Sequence, residues 1–539
     1  MNDLLFKNAH IADGTGKEIF LSNIAIKDGK ISYIGEDTVE AKQTIELSDD
    51  EVLCPGFIDS HAHSELYMNY DRTMSPKLLQ GVTTEVSGNC GIGMAPAEPK
   101  YFDLLKSYFS TLAAGIPGPD EWTELSTFSK FLNWADGLHC GINEAFYVAH
   151  GTLRIAVKGF DPSPLTEEES SKMDAMLREA MEAGAVGLTT GLVYVPGSNA
   201  TKEEILHLCE IVNEYGGIYA THMKSEGDQV IECVKDTIDV ARKTGVKAII
   251  SHHKVTGIKL ENLIPEIHKL VQSARDEGLQ VYLDHYPYSA GASTLTTTIP
   301  YKYTAGGFEE MVKQFDVPEL HEKIKYEILH NDGTWQNPLD STGPEGIVII
   351  SSPNDKTCEG KNLQEIADMW GIDYVEAIFK LLKINKGESV MCLLYFMREE
   401  AVETILKSPL VSICTDSLLM GDEFTVHPRG YNTYPRMLGH YVRERKVLSI
   451  EEAVKKMTSM PANMFGMNDR GVIDVNKVAD IVVFNKETII DKGSYKDPRA
   501  INPGISYVLV NGEIAVDNGK IINGHLGRAL INGKDFITK

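Results

Sequence analysis

The sequence has few cysteines, no long apolar run and too few basic residues to balance its acidic ones. Eight cysteines scattered among 539 residues are too sparse for the disulfide framework of a small secreted protein. No apolar run approaches the roughly 18 residues that a membrane-spanning helix needs. The first residues, MNDLLFKNAHIADGTG, lack the basic and apolar segments of a signal peptide. We therefore expect a cytoplasmic protein without a membrane segment.

The shortage of basic residues restricts the partners. Lysine and arginine number 52 against 77 aspartates and glutamates, which gives a formal net charge of −25 at pH 7. Such a surface repels the phosphates of nucleic acids and of anionic lipids, so we expect neither as a partner. A small anionic substrate can still bind where a few cations line the pocket. The sequence leaves the oligomeric state open.

The two ends of the chain share one sequence pattern, which differs from that of the middle. Short runs rich in valine and isoleucine, separated by DG and NG turns, occur in SNIAIKDGKISYIGE and in GISYVLVNGEIAVDNGKII. This pattern is typical of hairpins. A chain of this length also favours one large domain with a smaller one. We predict a small β-sandwich domain formed by residues 1–53 and 468–539.

Residues 54–467 alternate apolar, strand-like runs with helical or loop sequence. Alternation of this kind indicates parallel βαβ units, and eight such units predict an α/β fold of the TIM-like (β/α)8 barrel type. Residues from about 292 to 389 interrupt the alternation and predict an inserted lid. The apolar run VMCLLYF competes for the seventh or eighth strand position. The eight predicted strands are GFIDSHAH, TTEVSGNC, EAFYVAHG, AVGLTTGL, GIYATHMK, KAIISHHK, LQVYLDHYPY and LVSICTDS.

Metal-binding residue types stand where several of these strands end. In a barrel of this class the catalytic groups lie at the C-terminal ends of the strands. Two histidines spaced two apart on the first strand point to the same side and can bind one ion. Any one of these residues alone is typical of an ordinary core, but thiolate, imidazole and carboxylate together suit Zn²⁺. The set predicts a catalytic zinc site formed by His61, His63, Cys90, His222, His252 and Asp416.

Longer motifs surround these residues in a fixed order, including PGFIDSHAHSE, GVTTEVSGNCGIGMAP, AHGTLR, THMKSEG, SHHK, DHYPY and HPRGYNTYPR. Over nearly its whole length the sequence resembles the amidohydrolase superfamily and, within it, the D-aminoacylases (N-acyl-D-amino-acid deacylases). The resemblance implies that Cys90, His222 and His252 hold a tight zinc ion, and that the other three ligands form a second, weaker or empty site. Many relatives bridge two metals with a carboxylated lysine, but AVGLTTGLVYVPG contains none. Cys90 is therefore the expected bridge.

The resemblance also implies hydrolysis of the amide bond of an N-acyl-D-amino acid. Zinc lowers the pKa of its water to about 7. Asp416 is the predicted general base and then acid, since it can take a proton from that water and pass it to the leaving nitrogen.

Residues around the predicted metal site are candidates for binding the substrate. Lys254 alternates back to the face of His252 and can meet the α-carboxylate, and Arg429 offers the two-pronged donor that suits such a group. Tyr286 and Ser293 are expected to donate hydrogen bonds, and Tyr194 is expected to line the pocket.

Three alternatives remain open at this point. The same pocket would serve a dipeptidase acting on dipeptides with a C-terminal D-residue. A cyclic-amide hydrolase, similar to dihydropyrimidinase or hydantoinase, is the second alternative, although it favours the missing lysine. A catalytically inactive scaffold is the third, although such proteins usually lose metal ligands. The stretch STLTTTIPYKY, where some relatives place an arginine, has none, although Lys302 is close. We therefore expect neutral or apolar side chains on the substrate.

Overall fold

The computed structural model describes residues 1–110, 115–116, 118, 125–304, 307–385 and 390–538. The strands are β1 (Asn2–Ile11), β2 (Phe20–Lys27), β3 (Lys30–Gly35), β4 (Ala41–Glu46), β5 (Glu51–Pro55), β6 (Phe57–Ala62), β7 (Val82–Ser87), β8 (Asn143–Phe146), β9 (Val148–Ala149), β10 (Gly187–Gly191), β11 (Ile218–His222), β12 (Lys247–Ile250), β13 (Val281–His285), β14 (Ala290–Thr294), β15 (Ile347–Ser351), β16 (Met391–Tyr395), β17 (Val411–Ile413), β18 (Ile481–Asn485), β19 (Ile505–Val510), β20 (Glu513–Asp517) and β21 (Lys520–Ile521).

The α-helices are α1 (Tyr67–Tyr70), α2 (Ser75–Leu78), α3 (Phe102–Ser110), α4 (Phe128–Gly137), α5 (His150–Lys158), α6 (Glu167–Ala183), α7 (Lys202–Glu214), α8 (Val230–Thr244), α9 (Ile264–Asp276), α10 (Tyr301–Thr304), α11 (Phe308–Gln314), α12 (Pro318–Leu329), α13 (Pro338–Thr342), α14 (Leu363–Trp370), α15 (Tyr374–Asn385), α16 (Glu399–Lys407), α17 (Arg429–Arg436), α18 (Ile450–Met457) and α19 (Ser459–Phe465). A π-helix over Met437–Glu444 extends α17. Short 3-10 turns cover Pro99–Tyr101, Gly197–Asn199, Ile258–Leu263, Leu295–Thr298, Pro344–Gly346 and Lys356–Cys358. None of the helices in these ranges has the length and apolarity that crossing a bilayer requires.

Eight parallel strand positions close into a barrel within the described residues. Strands β6, β7 and β8 pair in one run, and β9, β10, β11, β12, β13 and β17 pair in another. Tyr147 separates β8 from β9, and the two short strands together occupy one barrel position. The N–H of Tyr147 donates to the carbonyl of Ser87 on β7, which continues the pairing. A parallel bridge between Ala62 and Ser417 joins the last strand to the first. All eight predicted strands lie in this barrel, so the predicted fold is confirmed.

The helices that cover the barrel are amphipathic, and α6 shows how the sequence specifies one. Thr166 and Glu169 form a reciprocal capping box at its start, which satisfies N–H groups that have no partner inside the helix. Gly184 ends it with a φ of 114°, a left-handed conformation that glycine adopts without a Cβ penalty. The face between these ends packs on the barrel through Met173, Leu177, Ala180 and Met181.

Strands from both ends of the chain form one nine-stranded sheet in the described part of the structure. Strand β18 pairs with β5, which joins the C-terminal strands to the N-terminal ones. The N–H of Ile31 on β3 donates to the carbonyl of Lys477. This bond brings β3, at one end of the sheet, back to the segment that precedes β18. Phe6 and Ile481 lie in a shared core that is separate from that of the barrel. The division at residues 53 and 468 remains our proposal.

Between β13 and β17 the chain adds a separate layer. Strands β14, β16 and β15 form a three-stranded antiparallel sheet. The run VMCLLYF forms β16 in this sheet and takes no barrel position, so the seventh and eighth positions belong to β13 and β17. The added sheet begins at Ala290 and ends at Tyr395, slightly outside the predicted limits of 292 and 389. Its function as a lid stays a prediction.

Candidate metal centre

The C-terminal ends of the barrel strands bring the predicted metal ligands together around Cys90. The Sγ atom of Cys90 lies 3.4 Å from Nε2 of His61 and 3.3 Å from Nε2 of His252. Cys90 belongs to two groups whose ligand atoms lie within 4.8 Å of one another, one with His61 and His63 and the other with His222 and His252. A thiolate shared by two groups of imidazoles is a donor set that suits one or two zinc ions.

The environment of Cys90 favours the thiolate, which is the form that binds metals. Burial alone would raise the pKa of this thiol, but positive charge on His61 and His252 lowers it well below its usual value. A metal ion bound by neutral imidazoles would place positive charge beside Cys90 in the same way, so the donor set fits a metal ion on its chemistry as well as on its proximity.

Asp416 completes the predicted set. Its Oδ1 atom lies 3.6 Å from Nε2 of His61 and 3.5 Å from Nε2 of His63. Its Oδ2 atom lies 2.8 Å from a guanidinium nitrogen of Arg429. Burial alone would raise the pKa of Asp416, but Arg429 and then His252 hold it well below its ordinary value. The carboxylate therefore stays ionised beside the imidazoles.

Three of the predicted ligands lie on left-handed backbone. The φ angles of Cys90, His252 and Asp416 are 55°, 39° and 47°, a conformation that is costly for residues other than glycine and concentrates at functional sites. Hydrogen bonds hold two of them, because the N–H of His252 donates to the carboxylate of Asp284 and that of Asp416 donates to the carbonyl of His61. With this backbone conformation, all three residues line the cavity at the mouth of the barrel.

The metal ligands open into a cavity of about 250 Å³ that also contains the predicted substrate contacts. The ring of Tyr194 meets that of His222 with centroids 5.0 Å apart. The Cζ atom of Arg429 lies 4.5 Å and Nζ of Lys254 lies 5.7 Å from the centroid of the Tyr286 ring. Two cations therefore contact this ring. The cavity wall includes Tyr194, Lys254, Tyr286, Ser293 and Arg429. The structure places all five beside the metal ligands, and their part in substrate binding stays a prediction.

Two buried carboxylates at the site were missed by the sequence reasoning. Glu226 accepts a hydrogen bond from Lys254, and its Oε1 atom lies 3.0 Å from Nδ1 of His252. Asp284 has an oxygen 3.6 Å from Nδ1 of His61. Both had a signal in the sequence, because Glu226 stands four residues after a predicted ligand and Asp284 stands at the end of a predicted barrel strand.

A third missed feature lies behind the ligands. The ammonium of Lys77, fully buried, bonds Asp59 at 2.6 Å, Glu85 at 2.7 Å and the hydroxyl of Ser417 at 2.7 Å. Asp59 also accepts the N–H of Thr415. These bonds clamp the residues on both sides of Asp416. No local pattern announces the bonds to Thr415 and Ser417, because Asp59 and Lys77 lie more than 300 positions before them.

Comparison with known proteins agrees with this architecture. Residues 395–515 match the amidohydrolase family. A D-aminoacylase of Alcaligenes xylosoxydans xylosoxydans is 32% identical over 98% of this chain and 97% of its own length. An N-acyl-D-glutamate deacylase of the same organism is 30% identical over 95% of this chain and 93% of its own.

A solved structure is similar over the same extent. The N-acyl-D-glutamate deacylase of Bordetella bronchiseptica, crystallised with zinc and a phosphonate inhibitor, is 28% identical with a TM-score of 0.81. The match covers 98% of this chain and 100% of that one. The similarity therefore includes the barrel, the small β domain and the layer inserted between β13 and β17. With its fold, its cysteine-centred ligand cluster and its full-length relatives, this chain belongs to the amidohydrolase family and, within it, to the D-aminoacylases.

Proposed function

We propose that the protein hydrolyses the amide bond of N-acyl-D-amino acids, releasing a carboxylate and a free D-amino acid. The observation that carries the proposal is that the metal-ligand cluster and two buried cations, Lys254 and Arg429, open into one cavity. An N-acyl amino acid carries its scissile carbonyl and its α-carboxylate only a few atoms apart. One end of the substrate can therefore meet the metal ligands while the other meets the cations. The D configuration is inferred from the D-aminoacylase relatives.

The metal of this proposal is zinc. Cys90, His222 and His252 are proposed to hold a tight ion, and His61, His63 and Asp416 a second, weaker one. When bound, zinc supplies a Lewis acid and lowers the pKa of a water molecule toward neutrality.

Asp416 is the proposed proton carrier. It takes a proton from the attacking water and delivers it to the nitrogen of the leaving amine. Arg429 occupies one of its oxygens, which leaves the oxygen nearer His61 and His63 for the proton. The same guanidinium, with Lys254 and the hydroxyl of Tyr286, is proposed to receive the α-carboxylate of the substrate. Ser293 and Tyr194 are proposed as further contacts.

The charges in the cavity favour a neutral acyl group over a dipeptide. A dipeptide brings a free amino group, which needs a carboxylate partner when it is buried. Among the described residues that line the cavity, the carboxylates are Glu226 and Asp416, and each already pairs with a cation. The structure therefore supports the N-acyl-amino-acid substrate more than the dipeptidase alternative.

The remaining wall of the cavity favours a neutral or apolar side chain on the substrate. Lys302 is exposed, pairs with Glu327 on α12 and is not part of the described lining. Within that lining, the lysine and arginine side chains are those of Lys254 and Arg429. The described residues of the inserted layer that line the cavity carry no charge, and the apolar ones among them include Phe308, Met311, Val390, Met391, Leu394 and Phe396.

The other two alternatives receive less support. A cyclic-amide hydrolase favours a bridging lysine on the fourth barrel strand, and Gly187–Gly191 contains none. An inactive scaffold would not keep a complete set of converging ligands on strained backbone.

The proposal is tested with purified protein and paired N-acetyl-D- and N-acetyl-L-amino acids, with metal content measured in parallel. The panel includes apolar and acidic side chains, D-dipeptides and a hydantoin. We expect D-selective release of amino acid, fastest with apolar side chains, and about one to two zinc ions per chain. Asp416→Asn is the inactive control. Equal turnover of both enantiomers, or hydantoin as the preferred substrate, would overturn the proposal.

A further inference from the structure

Glu226 joins the proposed metal site to the proposed carboxylate site. We infer that it is a positioning residue, which orients His252 toward the metal and Lys254 toward the substrate with one carboxylate. The inference rests on the proposed function for the role of Lys254. It rests on the ligand geometry alone for the role of His252.

One oxygen of Glu226 serves both side chains. Its Oε1 atom lies 2.7 Å from Nζ of Lys254 and 3.0 Å from Nδ1 of His252. The other ring nitrogen of His252, Nε2, faces the Sγ atom of Cys90 at 3.3 Å. An imidazole that gives Nε2 to a metal carries its proton on Nδ1, and a carboxylate that accepts this proton fixes the tautomer and the ring orientation. Oε1 of Glu226 is within reach of this proton, and Nζ of Lys254 lies 2.9 Å from the same ring nitrogen. Because an ammonium cannot accept a proton, Glu226 is the one of these two groups that can take the Nδ1 proton.

The carboxylate is itself held in place. Glu226 is only 3% exposed. Its N–H donates to the side chain of Gln336, which belongs to the inserted layer, and its carbonyl accepts the N–H of Thr256. The second carboxylate oxygen, Oε2, lies 3.8 Å from Nε2 of His222. The loop that carries Glu226 is therefore pinned on both sides, and its carboxylate faces both histidines of the proposed tight cluster.

The charges explain why a carboxylate is needed at this position. Lys254 is buried, and an ammonium that is removed from water without an anionic partner is strongly destabilised. Glu226 neutralises Lys254 in the free protein and keeps its ammonium near the cavity. When a substrate carboxylate arrives, the ammonium has two anionic neighbours. Glu226→Gln keeps a side-chain oxygen that can orient Lys254 and removes the competing negative charge, so substrate binding should not weaken. His252 loses its charged acceptor, so metal binding should weaken.

The structure offers a matched control. Glu204 accepts from Nε2 of His150 at 2.7 Å and from Arg154 at 2.6 Å, which repeats the arrangement of one carboxylate between a histidine and a cation. Glu204 is outside the described lining of the cavity. Replacing Glu204 tests the loss of a partly buried, paired carboxylate outside the proposed site.

The experiment compares Glu226→Gln with Glu204→Gln. For Glu226→Gln we expect zinc affinity, measured by competition with a chromophoric chelator, to fall about 10- to 100-fold. We expect kcat to fall by a similar factor while KM does not rise. The absorption bands of the cobalt-substituted protein should also shift, because one imidazole changes its orientation. For Glu204→Gln we expect wild-type zinc affinity, kcat and cobalt spectrum, whatever its melting temperature.

Two results would overturn the inference. One is wild-type zinc affinity and kcat in Glu226→Gln, and the other is equal losses in both variants. If Glu226→Gln does not fold, the same measurements on Glu226→Asp decide, because the shorter carboxylate should not reach both partners. Zinc affinity and the cobalt spectrum need no substrate. If the wild type fails to hydrolyse N-acyl-D-amino acids while Glu226→Gln loses zinc, only the proposed function fails.

Discussion

A guanidinium nitrogen of Arg429 lies 2.8 Å from Oδ2 of Asp416, so the predicted substrate cation is ion-paired with the predicted general base. Both side chains are buried. The guanidinium also lies over the ring of Tyr286. One arginine therefore links the proton carrier to the place where the α-carboxylate is expected, and its removal should affect both.

Arg429→Met should shift the pH dependence of the reaction. Arg429 is the leading cause of the lowered pKa of Asp416, so its loss raises that pKa. Since the reaction needs the carboxylate form, activity should disappear at a higher pH as the solution is acidified. Breaking this buried pair should also lower kcat/KM at least about 30-fold, from a loss of about 2 kcal/mol or more. The check is a pH profile of kcat, with Arg429→Lys, which keeps the charge, as the control. An acid limb that does not move would contradict the pairing of base and arginine.

Cys90→Ala should remove metal from both proposed sites, because Cys90 belongs to both ligand groups. We expect the purified variant to contain well under one zinc ion per chain and to be inactive. Metal analysis after dialysis checks this. Cys209→Ala is the matched control, since Cys209 is buried on α7 away from the site. A Cys90→Ala protein that keeps its zinc and its rate would show that the bridging role is wrong.

Tyr286→Phe and Tyr286→Ala should separate the hydroxyl from the ring. The phenylalanine variant keeps the contact with Lys254 and Arg429 but loses one hydrogen bond to a charged group, which should raise KM about 10-fold. The alanine variant also loses the cation–π contacts, worth about 1–2 kcal/mol in a dry site, and should raise KM further. Steady-state kinetics with one N-acetyl-D-amino acid decide. A wild-type KM in Tyr286→Phe would mean that the hydroxyl does not reach the substrate.

Asp480→Asn should weaken the contact between the small β domain and the barrel. Asp480 pairs with Arg470 at 2.7 Å and accepts the N–H of Asn511, and Arg470 also reaches Thr84 on barrel strand β7. The substitution breaks the buried pair and leaves the guanidinium with the more exposed Asp469 as its anion, so the loss should stay below the roughly 3–5 kcal/mol of a buried charge without any partner. Urea unfolding measures the loss. Glu513→Gln, at an exposed position, should change stability by less than about 0.5 kcal/mol. Equal stability of the two variants would rule out a structural role for the pair.

Much of the fold was readable because its signals are local. Each barrel strand is a short apolar run, and ligand-type residues such as His61, His222 and Asp416 follow directly where such runs end. Alternation of strands with helices implies parallel pairing, and parallel strands present their C-terminal ends at one face. The sequence pattern and the geometry of a parallel barrel were therefore enough to predict that these ligands converge.

Which strands pair with each other depended on the tertiary structure where the alternation is interrupted. The strand character of Met391–Tyr395 is local, but its pairing with β14 and β15 outside the barrel is not.

By itself, the sequence determined the barrel, the origin of the small domain in both termini and the residue types of the candidate site. Only the tertiary structure decided that Arg429 pairs with Asp416, that Glu226 contacts both His252 and Lys254, and that Lys77 binds residues next to the strand ends. Periodicity and residue type act between neighbours in the chain. Ion pairs in a buried site depend on distances between residues such as Lys77 and Thr415, which lie 338 positions apart.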